Sequence, residues 1–173
     1  EELIPNPGLI KNIQEDAAGN LWIITSTHLF IKTANGTTLL VDTGIQYTTN
    51  ISLDEEGFVW IGSADGKIYR LKYDNGIQAD RSFIPTRLDI KDRVIYIYAD
   101  RNAKLWCATL QGRLLVFDQK TGIMSDQTQT CEMNGETILK ILGSQDYLWL
   151  MTNQSITQHH FHTGNNLKYL TSD

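Results

Sequence analysis

Four tryptophans recur at nearly regular intervals along this chain of 173 residues, and that period restricts the folds it can adopt. They are Trp22, Trp60, Trp106 and Trp149, so the intervals between them are 38, 46 and 43 residues. A repeat of about 40–45 residues is typical of one four-stranded propeller blade. The length of the chain accommodates about four such units, so the repeat fills it.

The residues before each tryptophan predict a tight hairpin. An aspartate stands six positions before the tryptophan in the first three units, at Asp16, Asp54 and Asp100. Gly19 and Gly57 stand three positions before it in the first two units. Asp can bond its own turn backbone and Gly can adopt a positive φ, so each pair favours a turn between two strands. The fourth unit is one residue shorter and lacks both, and we expect all four tryptophans to anchor the core.

Turn signals after each tryptophan predict two more strands per unit. A second turn falls at Ala64-Asp65-Gly66 and at Leu110-Gln111-Gly112, where the first and fourth units have His28 and Ser155. A third turn falls at Asn35-Gly36, Asn75-Gly76, Thr121-Gly122 and Thr163-Gly164. The sequence therefore predicts an all-β β-propeller segment over 1–173 with about four four-stranded antiparallel blades, at approximately 9–42, 47–86, 93–130 and 136–170.

Composition excludes several functional classes. The chain has 20 acidic and 15 basic residues, a formal net charge of −5, and no Lys/Arg cluster of the kind a nucleic-acid surface needs. No apolar run approaches the roughly 18 residues of a membrane helix, so we expect no membrane contact within this segment. Cys107 and Cys131 have neither metal-site spacing nor a disulfide framework around them. Buried free thiols are the favoured interpretation, although an oxidising compartment leaves a bridge open.

No catalytic constellation emerges from the sequence. It contains no phosphate-binding loop, no nucleophile elbow and no zinc-helix motif. His160 and His162 would share one face of a strand while His159 points away, but no paired carboxylate lies close in sequence to complete a metal site. The acidic pairs Glu15-Asp16 and Asp54-Glu55 fall in the repeated hairpin, which favours turn formation over acid–base chemistry. We therefore assign no catalytic residue, metal ligand or cofactor.

The repeats resemble a known family. Three stretches carry the resemblance: Gly19-Asn20-Leu21-Trp22, Trp60-Ile61-Gly62-Ser63, and Leu105-Trp106 with Thr109. They are similar to the two-component regulator propeller repeat. That repeat occurs mainly in periplasmic sensor regions of bacterial hybrid two-component systems, where two large propellers and a smaller β domain precede a membrane helix, a histidine kinase and a response-regulator module. The resemblance implies a non-catalytic periplasmic sensor segment that responds to an oligosaccharide, in a parent receptor that forms a homodimer.

The resemblance also implies a longer parent chain. Family members carry about three times as many units as this sequence, so we expect further propeller blades of the same chain to flank it. Exposed strand edges would then make the isolated segment associate with itself.

Propeller geometry indicates where a ligand would bind. The loops between second and third strands emerge on one side of the blades and differ between units, which suits recognition on a rigid scaffold. The ligand-binding candidates in these loops are His28, Asp65, Gln111 and Gln154.

Two other functional classes stay open at the level of sequence. A propeller lyase resembling streptogramin-inactivating enzymes carries similar Asp-x-x-Gly-x-x-Trp repeats, but needs a convergent His and carboxylate with a metal. A protein-interaction scaffold is the other, although no tryptophan here is followed by Asp as in many cytosolic propellers.

Overall fold

The computed structural model describes residues 8–41, 43–72, 80–86, 90–133 and 135–170, and every structural statement below concerns these ranges. The predicted turn at Asn75-Gly76 lies outside them.

The described chain forms four antiparallel sheets of four strands, each in chain order, which we call blades one to four. Blade one contains β1 (Ile10–Glu15), β2 (Leu21–Thr25), β3 (Leu29–Lys32) and β4 (Thr38–Val41). Blade two contains β5 (Thr48–Leu53), β6 (Phe58–Ser63), β7 (Ile68–Lys72) and β8 (Asp80–Thr86). Blade three contains β9 (Val94–Ala99), β10 (Lys104–Thr109), β11 (Leu114–Asp118) and β12 (Ile123–Asp126). Blade four contains β13 (Ile138–Gly143), β14 (Tyr147–Thr152), β15 (Ser155–His160) and β16 (Asn166–Leu170). The prediction of all-β propeller blades is confirmed.

Within the described ranges, no helix has the length and apolar character needed to cross a bilayer.

The turn between the first two strands of a blade uses a left-handed residue, as the sequence predicts. Gly19 and Gly57 have φ values of 80° and 81°. In blade three the same position is Ala103, which adopts a φ of 58° despite its Cβ. A left-handed conformation costs a non-glycine residue about 1–2 kcal/mol, so the third hairpin is strained where the first two are relaxed.

Consecutive blades pack face to face, and the tryptophans of blades one to three each pack in a core shared with the following blade. Trp22 lies in one core with Ile51 and Ile61 of blade two. Trp60 lies in a second core with residues of blade three, and Trp106 in a third core with residues of blade four. All three are at most 4% exposed, and truncating such an aromatic to alanine costs about 3–5 kcal/mol. The predicted anchoring role is confirmed for these three.

The first strands of neighbouring blades lie side by side and are joined by side-chain hydrogen bonds. The amide N–H of Leu53 in blade two donates to Oε1 of Gln14 in blade one at 3.0 Å. The amide N–H of Ala99 in blade three donates to Oγ of Ser52 in blade two at 2.8 Å. Because these innermost strands have no sheet partner on one edge, the polar side chains satisfy backbone groups that would otherwise be unpaired.

Blade four carries apolar side chains on the face turned away from blade three. Trp149 is only half-buried there, in contrast to the other tryptophans and to the predicted core role. Met151 pairs with Ile156, which pairs with Tyr169, so the three side chains project from the same side of the sheet. We call the following set the open face of blade four: Leu142, Trp149, Met151, Ile156, Leu167 and Tyr169. Its members other than Trp149 are 40–53% exposed.

Both cysteines are buried and unbridged, which confirms the predicted free thiols. Burial raises the pKa of both thiols, that of Cys131 to about 12. The thiolate is the reactive form, so burial lowers the nucleophilic reactivity of both cysteines in the folded chain.

Candidate functional site

Each blade has two ends with different chemistry. The connection end holds the loop from the second to the third strand, and the hairpin end holds the turn from the first to the second. The predicted ligand-binding residues lie at the connection end, one in each blade. One cleft lies at the hairpin end, and a groove runs between blades three and four.

The connection-end loops follow two designs, which explains the different residues there. In blade two, Ser63 and Lys67 enclose three residues ending in Gly66, whose φ is 82°. A Cβ on Gly66 would lie 2.3 Å from the carbonyl oxygen of Ile90, so the loop closes against the chain leading into blade three. In blade one the loop is a residue shorter, and the amide N–H of His28 donates to Oγ1 of Thr25 at 3.0 Å.

His28 and Asp65 each have a partner within their own loop. Nδ1 of His28 lies 2.8 Å from Oγ1 of Thr27, and its ring lies 5.9 Å from that of Phe30. The Asp65 carboxylate accepts a hydrogen bond from Nζ of Lys67 at 2.7 Å. Burial raises the pKa of Asp65, but the bonds from Lys67 and Ser63 outweigh it and lower the pKa overall.

Gln111 and Gln154 are held in their loops through their backbones. The amide N–H of Gln111 donates to Oδ2 of Asp92 at 3.3 Å, and that of Gln154 donates to Oγ1 of Thr152 at 3.1 Å. Neither the cleft nor the groove is lined by any of the four predicted residues. A ligand role for these loops stays a prediction.

A buried carboxylate in blade four was missed by the sequence analysis. Glu136 is 7% exposed and accepts hydrogen bonds from the hydroxyls of Thr152 at 2.5 Å and Ser155 at 2.6 Å. Nζ of Lys168 on β16 forms an ion pair with the same carboxylate. Burial raises the pKa of Glu136, but these donors outweigh that effect and lower it. The cluster ties the outermost strand of blade four to its connection end.

At the hairpin end, the repeated aspartates bind the repeated tryptophans. The indole Nε1–H of Trp22, Trp60 and Trp106 donates to Oδ2 of Asp16, Asp54 and Asp100, at 2.8 Å in each case. The other carboxylate oxygen accepts backbone N–H groups of the turn. We call this arrangement the Asp–Trp clamp. With both oxygens engaged, these carboxylates hold structure rather than perform acid–base chemistry.

A cleft of about 600 Å³ lies among the first hairpins of blades one to three. Its carboxylates include Glu15 and the three clamp aspartates, and Phe58 and Tyr98 add aromatic surface. Arg101 forms an ion pair with Glu55 at 3.1 Å across it, between side chains that are both largely exposed. Such an exposed pair contributes little to stability.

A second groove, of about 590 Å³, lies between blades three and four, and we call it the blade 3–4 groove. Its apolar wall includes Trp106, Val116 and Phe161, and its polar lining includes Ser125 and Gln127. His159 lies in this wall and is only 7% exposed.

The three clustered histidines have separate roles. Nδ1 of His160 accepts the backbone N–H groups of His162 and Thr163, so this residue stabilises the turn after β15. His159 points to the opposite side, as predicted, but it is buried against Trp106 with ring centroids 6.1 Å apart. This burial was not predicted from the sequence. The alignment of His159 with Leu71 and Phe117, the residues paired with the position before each tryptophan, could have revealed the burial.

Metal chemistry has no evident centre in the described part of the chain. No group of three or more His, Cys, Asp or Glu side chains there is arranged to hold a metal ion.

Solved structures with the same fold extend the comparison beyond this chain. The extracellular domain of BT4673 from B. thetaiotaomicron, described as a hybrid two-component system, superposes with a TM-score of 0.72 and 17% identity over 94% of this chain. The extracellular domain of BT3049 from the same organism, also described as a hybrid two-component system, gives a TM-score of 0.67 and 21% identity over 99%. The Dos1 propeller gives 0.69 and 13% over 96%.

These similarities agree with the resemblance seen in the repeats. No protein-family model matches the chain, and no curated protein matches its sequence. The chain spans about a quarter of the two extracellular domains, 24% and 23% of their lengths, and 48% of the Dos1 propeller. At these identities the match shows a common propeller fold.

Proposed function

We propose that this chain is the propeller segment of an extracytoplasmic sensor in a hybrid two-component signalling receptor. The observation that carries the proposal is the superposition of almost the whole chain on two extracellular domains described in those terms. The Asp–Trp clamps and the similarity of the sequence to two-component propeller repeats support it. In this function the segment is non-catalytic and periplasmic, and a histidine kinase elsewhere in the parent protein carries the signal.

We propose further that more blades of the same polypeptide cover the open face of blade four. Trp149 occupies the position at which Trp22, Trp60 and Trp106 contact the next blade. Apolar side chains on all four strands of the blade surround it, and together they present a surface like those that blades one to three bury. In the parent receptor, homodimerisation would act on this larger propeller.

The ligand belongs to the same proposal. A sensor of this type would bind an oligosaccharide and shift the receptor between two arrangements, which requires a difference in affinity between them. The variable connection-end loops, with His28, Asp65, Gln111 and Gln154, offer one surface for that contact.

Cell fractionation tests the receptor assignment directly. An antibody against this segment is used to blot soluble and membrane fractions of the native cells, with and without protease treatment of spheroplasts. We expect a band far larger than 19.6 kDa in the membrane fraction that external protease degrades. A band of about that mass in the cytosolic fraction would overturn the proposal and favour the scaffold or lyase interpretations.

The open face makes a second test possible with the isolated chain. We expect the chain to self-associate in sedimentation velocity, and the pair Met151→Lys with Ile156→Glu to restore a monomer. Ile123→Glu is the matched control, because Ile123 is 62% exposed on a different blade. If the isolated chain without substitutions is strictly monomeric at high concentration, the idea that this face needs a partner is contradicted.

A further inference from the structure

We propose that the blade 3–4 groove is a saccharide-binding site, in which Nε2 of His159 accepts a hydrogen bond from a sugar hydroxyl. The inference rests on the proposed function in that it supplies a site for the sensor's ligand, and it lies apart from the connection-end loops.

The hydrogen bonds around His159 define its tautomer. The side-chain amide of Asn166 donates from Nδ2 to the carbonyl oxygen of Thr130 at 2.7 Å. Its Oδ1 therefore faces Nδ1 of His159, 2.8 Å away, and must accept a hydrogen bond from the N–H group at that atom. The neutral ring consequently carries its hydrogen on Nδ1 and an available lone pair on Nε2. Within the described residues, Nε2 has no hydrogen-bond partner.

The neighbouring blades show that this histidine is not required for packing. The same register position is Leu71 in blade two and Phe117 in blade three, and both lie in the apolar core against the preceding blade. Phe117 contacts Trp60 edge-on at 6.2 Å, much as His159 contacts Trp106. Burying a polar ring where an apolar one fits lowers stability unless its polar atoms find partners. One nitrogen has such a partner in Asn166, and the second is left for a ligand.

Two residue differences between blades two and three leave space in front of His159. In blade two, the guanidinium of Arg70 lies 4.4 Å from the ring centre of Phe58 and 5.5 Å from that of Trp60. The corresponding residues of blade three are Val116, paired with Trp106, and Lys104, two positions before it. The shorter valine leaves the outer part of this interface unfilled. The resulting volume of about 590 Å³ lies within the range of about 300–1,000 Å³ typical of ligand pockets.

The lining suits a neutral polyhydroxylated ligand. The exposed side chain of Ile123 and the half-buried ring of Phe161 supply apolar surface for the C–H face of a sugar ring, over a floor formed by Trp106 and Val116. Thr121, Ser125 and Gln127 offer hydroxyl and amide groups around it. The two charges near the opening, Lys104 and Asp118, are of opposite sign, so the groove does not select an ion.

The test uses side-chain NMR and a panel of neutral sugars. The ¹⁵N-labelled chain is titrated with the pentasaccharides of β-1,4-xylose, β-1,4-mannose, β-1,4-glucose and α-1,5-arabinose, each up to about 10 mM, which saturates a site with a Kd of about 1 mM. Imidazole ¹H–¹⁵N spectra report on Nε2 of His159. We expect at least one neutral sugar to shift that signal, and an oligogalacturonate of equal length to bind more weakly.

Three variants give the result its specificity. His159→Phe reproduces the residue of blade three, so the fold is retained while the acceptor is lost. Lys104→Phe with Val116→Arg installs the pair that fills blade two. We expect each to weaken binding at least about fivefold, because a sugar hydroxyl loses its partner or the groove is closed. Lys32→Ala, at the same register position of blade one, should leave the Kd unchanged.

The possible outcomes separate this inference from the proposed function. A sugar that binds without shifting His159, with an unchanged Kd in both groove variants, would overturn the groove site and leave oligosaccharide sensing in place. If none of the four sugars shifts any signal, the groove site is likewise overturned. The receptor assignment is decided independently by cell fractionation.

Discussion

Removing one Asp–Trp clamp should destabilise the chain by an amount that the structure allows us to calculate. Asp100 is the best position, because it is 4% exposed and accepts the indole N–H of Trp106 at 2.8 Å. Asp100→Asn keeps the size of the side chain, and its remaining oxygen can still accept the turn amides of Asn102 and Lys104. The new amide N–H₂ group, however, faces the indole N–H with two donors opposed.

The expected loss follows from that single mismatch. A buried donor left without an acceptor costs about 1–3 kcal/mol, and the lost bond was to a charged group, which places the value in the upper half of that range. For a chain of this size, 1 kcal/mol shifts the Tm by about 2–4 °C, so the Tm should fall by about 4–12 °C. Asp118→Asn is the control, because that carboxylate accepts hydrogen bonds from the exposed turn amides of Lys120 and Thr121 and binds no indole. Its effect should stay within about 0.5 kcal/mol.

Urea unfolding followed by tryptophan fluorescence measures the free energies, and a double-mutant cycle assigns the cause. In the Trp106→Phe background the indole donor is absent. Asp100→Asn should therefore lower the free energy of unfolding by at least about 1 kcal/mol less there than in the unsubstituted chain. Equal costs in both backgrounds would show that the loss comes from the turn. If Asp100→Asn lowers the free energy of unfolding of the otherwise unsubstituted chain by less than about 0.5 kcal/mol, the reasoning about the clamp itself is refuted.

Three further predictions follow from single positions. Ala103→Gly should raise the free energy of unfolding by up to about 1 kcal/mol, because it relieves a left-handed alanine, and a lower urea midpoint would contradict this. Gly143→Ala should instead destabilise by about 1–3 kcal/mol, since a Cβ there would lie 1.9 Å from the hydroxyl of Tyr98. The cost should shrink in a Tyr98→Ala background in the same unfolding assay. The pKa of Glu136 is lower in the folded chain than its ordinary value of 4.5, so the ionised carboxylate stabilises the fold above about pH 4.5. This stabilisation is lost as the pH falls through the pKa of the folded chain. The difference in free energy of unfolding between the unsubstituted chain and Glu136→Gln should therefore decrease below about pH 4.5 in urea titrations. A difference that does not change with pH would contradict stabilisation by ionised Glu136.

The repeat made the architecture predictable, because each Asp–turn–Trp unit is a local pattern. Asp16, Gly19 and Trp22 lie within seven positions, and the bonds among them form inside one hairpin. The period of the tryptophans then gives the number of blades. Sequence alone therefore sufficed for the fold class and for the buried positions of three of the four tryptophans.

The features that distinguish one blade from another depend on contacts between blades and were not predictable in the same way. Burial of His159 depends on Trp106, which is 53 positions away in the sequence. The space beside it is present because blade three has Val116 at the position that Arg70 occupies in blade two. Glu136 is buried by a lysine on the last strand of its blade. Trp149 has the local pattern of a core residue, but its burial requires a sheet on the other side.

The contact between Tyr98 and Gly143 gives blade four a different place in folding. The first hairpins of blades one to three carry their own clamp, so each can form from contacts close in sequence. The first hairpin of blade four has Ser144 in place of the clamp aspartate, and the side chain of Tyr98 from blade three lies against Gly143 beside it. Its formation is therefore conditional on blade three, as in a chain of units that fold by addition to a neighbour. A disturbance that shifts Tyr98 would reach the open face through this hairpin, which makes blade four the least independent unit of the segment.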